Sequence, residues 1–422
     1  MQKNIFSKLA STLAGLALVA ILFLGSVSTA WAGDKITLKD GRVLEGEIIR
    51  EVNGSIWITY TVGGIEQRGF FTADQIDHIE RDAGDAPAGS EPVTDPSKQS
   101  SSSTLGPKAA GVQRAVVITL EGEVGMQFAA KPLEDEIPWL EKNGIDIVVF
   151  KINSGGGYLF EIDRMHDVLK EYKEKFRTVA WIESAISAAA MSSYVLEEIY
   201  FMPDGNLGAC TAWSGQLVAV EGRGLEEVLY KMEKASAVAK RSPAIMRSMQ
   251  IQEPLSYNKN RDGTIEWFNT VEGEHLVNPV GRILTFDAQQ AVECKFSRGV
   301  ARNLDELTKL LGVPEIEWVG KHVPGEIFPI SKAEADMRNW RANVTEANEK
   351  FNSYRAKYNI SVSNAQGASD INERGMFVGR ARQHLAVIHR ACKNYPNIQS
   401  VNGITDQWFK DQERMLRDLM KP

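Results

Sequence analysis

From Ala115 to Met202 short apolar runs alternate with amphipathic stretches. Ala115–Leu120, Ile145–Ile152, Thr178–Ile182 and Ile199–Met202 are largely apolar on both faces of an extended chain. Between them, Ile137 to Lys142, about Phe160 to Phe176, and Ser187 to Leu196 predict helices. Strands buried on both faces and separated by helices predict a parallel sheet with right-handed crossovers. Residues 35–82 follow a different period. Apolar and polar positions alternate there, and Asp40-Gly41, Asn53-Gly54 and Gly63-Gly64 punctuate the runs. This predicts short antiparallel strands joined by hairpin turns into a small curled sheet or barrel. A third pattern occupies residues 331–422. Met337, Trp340, Val344, Ala347, Phe351, Tyr354 and Tyr358 are spaced alternately by three and four. Phe377, Ala381, Leu385, Ile388, Cys392 and Tyr395 repeat a similar stripe after a polar break at Gly367, and Trp408, Met415 and Leu419 mark a last piece. Such spacing predicts coiled-coil-like helices, most simply an antiparallel hairpin. It leaves open whether the stripe packs within this chain or on an envelope partner.

The expected organisation is a signal peptide at 1–32, a small β-domain at 33–82, a linker at 83–113, an α/β domain at 114–330 and a helical hairpin or bundle at 331–422. Lys3 and Lys8 precede an apolar stretch from Leu9 to Leu24, and Ala30-Trp31-Ala32 supplies a small-residue exit. That layout predicts a cleaved secretory signal and a periplasmic or secreted protein, soluble after cleavage. Pro87, Pro92, Pro96 and Pro107 with Ser100–Ser103 predict a flexible linker.

The formal charge of −7, which becomes −9 if Lys3 and Lys8 leave with the signal, argues against a nucleic-acid partner. The three cysteines, Cys210, Cys294 and Cys392, are read as buried thiols. No Cys/His spacing suggests a metal, and no cofactor is implied.

Candidate chemistry lies where apolar strands run into helices. Ile152-Asn153-Ser154-Gly155-Gly156-Gly157 ends one strand with a glycine corner, where free N–H groups can face an anion and a carbonyl can approach closely. Glu183-Ser184-Ala185-Ile186-Ser187-Ala188-Ala189-Ala190 ends the next, with a serine at the start of a helix. Ser184 is read as a helix cap. His166 reads as a helix-surface residue. Lys240-Arg241 and the segment 250–278 read as a surface excursion without a role.

Five pieces in order resemble the Clp protease/crotonase superfamily, and within it the NfeD and SppA group of serine peptidases. They are INSGGG (152–157), AISAAA (185–190), MPDGNLGA (202–209), GRILTFDAQQAV (281–292) and LDELTKLLG (304–312), together spanning about 115–312. The resemblance implies a ClpP/crotonase-like spiral of βαβ units. It implies Ser187 as nucleophile, the N–H groups of Gly156 and Ala188 as oxyanion hole, and Gly155 and Gly157 beside the substrate. Gly155 stands where the family has proline. The group uses a Ser-Lys dyad. The family's lysine position falls nearest Arg223, which stays protonated, so the candidates for the base are Lys231 and Lys234. The implied function is an exported serine endopeptidase acting on peptides or membrane-protein fragments, assembled as a homo-oligomer. The alternative is a catalytically inactive scaffold of the same fold. A crotonase-type hydratase fits an exported protein poorly, because acyl-CoA is intracellular. Residues 33–82 further resemble SH3- or Sm-like modules in their DGxxxxGxI pattern, which implies no chemistry.

Overall fold

The computed structural model describes residues 34–39, 43–52, 55–62, 65–71, 76–80, 105–214 and 218–421. The expected signal peptide, most of the expected linker and the three expected hairpin turns lie outside the described residues. The chain divides into two compact units, one ending at Ser101 and the other beginning at Ser102.

In the first unit, β1 (Asp34–Leu38), β2 (Val43–Val52), β3 (Ser55–Val62), β4 (Ile65–Phe71) and β5 (Ile76–Glu80) form an antiparallel sheet in the order β4-β3-β2-β1-β5. Ile36, Leu38, Leu44, Ile58 and Ile76 supply its buried face.

The second unit is α/β. It runs β6 (Gln113–Glu121), α1 (Ala130–Lys142), β7 (Ile147–Ser154), α2 (Ile162–Lys175), β8 (Arg177–Ile186), α3 (Ala188–Ser193) and β9 (Glu198–Gly208). A two-residue hairpin follows, β10 (Trp213–Ser214) with β11 (Val218–Ala219), then α4 (Gly222–Val238) and α5 (Pro243–Gln250). Three antiparallel strands, β12 (Leu255–Lys259), β13 (Ile265–Phe268) and β14 (His275–Asn278), precede β15 (Thr285–Asp287), α6 (Ala288–Glu293), α7 (Leu304–Leu311) and β16 (Ile316–Trp318). The central sheet has the order β15-β9-β8-β7-β6-β16; only β15 is antiparallel to its neighbour. Alternate residues of β6 enter two cores: Val116, Ile118 and Leu120 face α1 and α2, while Ala115 and Val117 join Trp181, Tyr200 and Leu307 on the other face. Burial on both sides is what a covered parallel sheet requires.

The chain ends in α8 (Lys332–Gly367), α9 (Ile371–Asn394), α10 (Pro396–Val401) and α11 (Asp406–Asp418). Trp340 meets Tyr395 and Tyr354 meets His384, so α8 and α9 run antiparallel. Val344, Phe351 and Tyr358 of the stripe are buried against Ala381, Leu385 and Ile388. Ser331 caps α8 by accepting from the Glu334 N–H at 3.1 Å. Glu334 is fully buried and accepts from the Thr119 N–H and Oγ1, both at 2.7 Å, and from Arg338 Nε at 2.7 Å. A buried carboxylate with all these donors is compensated, and it ties α8 to β6.

Three sequence expectations are corrected. The 250–278 segment is a surface excursion only in part: Leu255, Ser256 and Tyr257 of β12 are buried, while most of the remainder is not. Arg241 is half-buried, donating to the carbonyls of Tyr194, Leu196 and Glu197 at 2.6–3.0 Å beyond the end of α3. His166 is not on the helix surface. It is 7% exposed, its Nε2 lies 2.8 Å from the Met191 carbonyl, and burial lowers its pKa.

Candidate active site

The C-terminal ends of neighbouring parallel strands converge on one edge of the sheet, where α/β folds place ligands. β7 pairs with β8 up to Ser154 opposite Ala185. β8 pairs with β9 up to Ile186 opposite Gly208, and the Ser187 N–H donates to the Gly208 carbonyl at 2.9 Å. This register brings the glycine corner against the serine corner. A Cβ built on Gly156 would lie 2.7 Å from Ser187 Cβ, 2.9 Å from the Ile186 carbonyl oxygen and 3.2 Å from the Ala188 nitrogen. Only a residue without a side chain fits there, and Gly156 also has φ +104°.

Ser187 has φ +55° and ψ −126°, a conformation that costs a non-glycine residue about 1–3 kcal/mol. The turn falls between the end of β8 and the start of α3. Ser187 Oγ has no hydrogen-bond partner among the described residues, and the residue is half-buried. Ala188 opens α3, so its N–H belongs to the first turn, which lacks intrahelical acceptors. The Gly156 N–H donates to Ser154 Oγ at 3.2 Å, and Ser154 Oγ donates to the Gly122 carbonyl at 2.6 Å. Behind Ser187, Cys210 Sγ donates to the Ser187 carbonyl at 3.7 Å, and burial pushes that thiol up and so keeps it protonated.

The glycine corner is held on its other side by the loop after β6. The Val124 N–H donates to Gly156 and the Tyr158 N–H to Val124, both at 2.9 Å. A Cβ on Gly157 would sit 2.3 Å from the Val124 carbonyl oxygen. Gly155 has open space around its missing side chain. An open depression of about 390 Å³ lies here, lined by Glu123, Asn153, Ser154 and the glycines.

Neither lysine named from the sequence has the surroundings of a base. Lys231 Nζ lies 2.9 Å from Asp163 Oδ2, is nearly half exposed, and has its pKa raised by that hydrogen bond. A lysine base needs the opposite shift. Lys234 lies over the Tyr230 ring at 4.4 Å. Both line a groove between α2 and α4 with Asp163, His166 and Lys170. Arg223 is exposed. Ser184 is not a cap; its Oγ donates to Asn206 Oδ1 at 2.9 Å across β8 and β9.

Sequence reasoning passed over Glu123, Ser154 and Gln250. Glu123 follows an apolar strand by one glycine, and in a parallel sheet that position neighbours the next strand's corner. Ser154 lay inside a quoted motif. Gln250 is 2% exposed with neither amide atom partnered among the described residues, beside Thr211 whose Oγ1 donates to the Gln250 carbonyl at 3.2 Å. Its side chain gave no signal in the sequence. Among the described residues no cluster of His, Cys, Asp or Glu is arranged to hold a metal, and no helix is long and apolar enough to cross a membrane.

Residues 115–318 match the family described as NfeD1b, N-terminal domain. This match covers the central α/β domain. The membrane protein NfeD1b of Bacillus subtilis (strain 168) is 27% identical to this chain over 204 residues, 47% of this chain and 41% of that protein. The chain thus matches about two fifths of that relative's length. Solved structures similar to this chain include a 1510-N membrane-bound stomatin-specific protease in complex with a substrate peptide (13% identity, 55% of this chain, 99% of that one, TM-score 0.37). Another is ClpP1 from Listeria monocytogenes (16% identity, 45% of this chain, 94% of that one, TM-score 0.31). The central α/β domain is accompanied here by an all-β region before it and a helical segment after it.

Proposed function

We propose that the NfeD/ClpP-class domain binds an extended polypeptide along the glycine corner and that Ser187 is its nucleophile, in an exported, homo-oligomeric peptidase. The observation that carries this reading is the strained Ser187 backbone set against Gly156, with room for no side chain between them. Strain of this kind persists where the surrounding structure imposes it and gathers at reactive residues. In the reaction, Ser187 Oγ bonds to the carbonyl carbon of the scissile peptide and gives up its proton. The carbonyl electrons move to oxygen, and the N–H groups of Gly156 and Ala188 hold that oxyanion. The C–N bond then breaks, the leaving amine takes a proton, and water hydrolyses the acyl-enzyme. For Gly156 to contribute, its N–H must turn from Ser154 Oγ to the oxyanion.

The reaction also needs a base to take the Ser187 proton. Lys231 or Lys234 can serve only by leaving Asp163 or Tyr230, and Asp163 drives the Lys231 pKa the wrong way. That observation favours a second reading, in which the same corner binds a polypeptide without turning it over. The two separate on treating the full chain with a fluorophosphonate probe beside Ser187→Ala. Labelling of the wild type alone supports the nucleophile. Equal absence of label from both leaves the binding reading in its place. A monomer by light scattering would count against the oligomer.

A further inference from the structure

The depression beside the glycine corner carries one charged side chain with nothing to balance it. Glu123 lines it, while the nearby Glu183 is already matched by Lys151 and by Asn153 Nδ2 at 3.0 Å. Among the described residues Glu123 forms no ion pair and its carboxylate accepts no hydrogen bond.

Its position is fixed by backbone. The Glu123 N–H donates to Gln127 Oε1 at 3.2 Å, and the Glu123 carbonyl accepts from the N–H groups of Met126 at 3.0 Å and Phe128 at 3.2 Å. The next residue, Val124, is fully buried and is bonded to the corner itself. The side-chain stem runs against Gly157, whose Cβ, if present, would meet Glu123 Cγ at 2.9 Å. Partial burial raises the carboxyl's pKa, and burial raises that of Tyr158, with the Glu123 carboxylate adding to it. Glu123 is exposed, so its carboxylate is open to a cation from a ligand and repels an acidic group.

We infer that Glu123 makes this depression a subsite for a lysine or arginine side chain of the bound polypeptide. The inference rests on the proposed peptide site, and it names the class of peptide that site prefers.

The test measures binding, so that turnover is not needed. Fluorescent, N-acetylated decapeptides that differ only in a central lysine, alanine or glutamate are titrated into full-length Ser187→Ala by anisotropy. A fourth peptide has a free amino terminus and no lysine. The lysine peptide is expected to bind about 3- to 10-fold more tightly than the alanine peptide at low salt, and the glutamate peptide more weakly than both. Adding Glu123→Gln is expected to abolish the preference, and adding Glu123→Lys to reverse it. Peptides that bind without a charge preference, or with one that survives Glu123→Gln, overturn the inference and leave the peptide site standing. If the free-amine peptide binds as tightly as the lysine peptide, the side-chain assignment is overturned in favour of a terminal amine. Failure of every peptide to bind overturns the peptide site, and the subsite with it.

Discussion

Gly156→Ala is the substitution that most directly strains the corner. The added methyl would sit 2.7 Å from Ser187 Cβ and 2.9 Å from the Ile186 carbonyl oxygen, at φ +104°. The backbone conformation alone costs an alanine about 1–3 kcal/mol. Forcing a carbon into closed space adds about 1–3 kcal/mol. The variant is therefore expected to lose about 2–6 kcal/mol in urea denaturation, with Gly155→Ala as its control. Gly155 has no atom within 4 Å of its built Cβ and no positive φ, so its alanine variant stays within about 0.5 kcal/mol of the parent. Relief of the clash has to come by parting the two corners, which moves the Gly156 N–H away from the oxyanion. Fluorophosphonate labelling should then slow by about 100-fold, the usual effect of losing one oxyanion donor. If Gly156→Ala matches Gly155→Ala in stability and labelling, the two corners do not meet as described.

Lys231→Ala removes an exposed ion pair with Asp163, so stability should change by less than about 1 kcal/mol and labelling of Ser187 should persist; loss of labelling would restore Lys231 as the base. Gln250→Leu replaces a buried amide that has no partner, and should raise stability by about 1 kcal/mol or more in urea; a loss of stability would mean that the amide is satisfied. Burial raises the Glu136 carboxyl to about 7, with Lys332 beside it opposing the rise and Asp336 adding to it. The folded state then holds a proton that the unfolded state releases near pH 4.3, so this stabilisation is full below about pH 4 and is lost as pH rises through about 7. Glu136→Gln should remove that slope, on the order of 3 kcal/mol between pH 4 and pH 8; an unchanged profile would refute the assignment.

The α/β class was legible because β6 and β7 carry apolar residues on consecutive positions, which only a sheet covered on both faces accommodates. The corners were legible as glycine and small residues at strand ends. The remainder depends on distant partners. Arg241 reads as surface by charge, yet it is half-buried and its guanidinium is held by three carbonyls beyond α3. β12 is short and polar-flanked, and its burial of Leu255 and Tyr257 comes from the core it meets. β16 has three residues, too few for any period, and exists through pairing with Gln113–Ala115. The base candidates were named by chain distance from Ser187, which carries no information about Asp163 on another helix.

A crystal structure of the full chain treated with a peptide boronic acid measures the meeting of the corners itself. Boron bonded to Ser187 Oγ, with one boronate oxygen about 2.7–3.1 Å from the nitrogens of both Gly156 and Ala188, is the expected result. Boron absent from Ser187, or bonded there with its oxygens turned away from both amides, would contradict it.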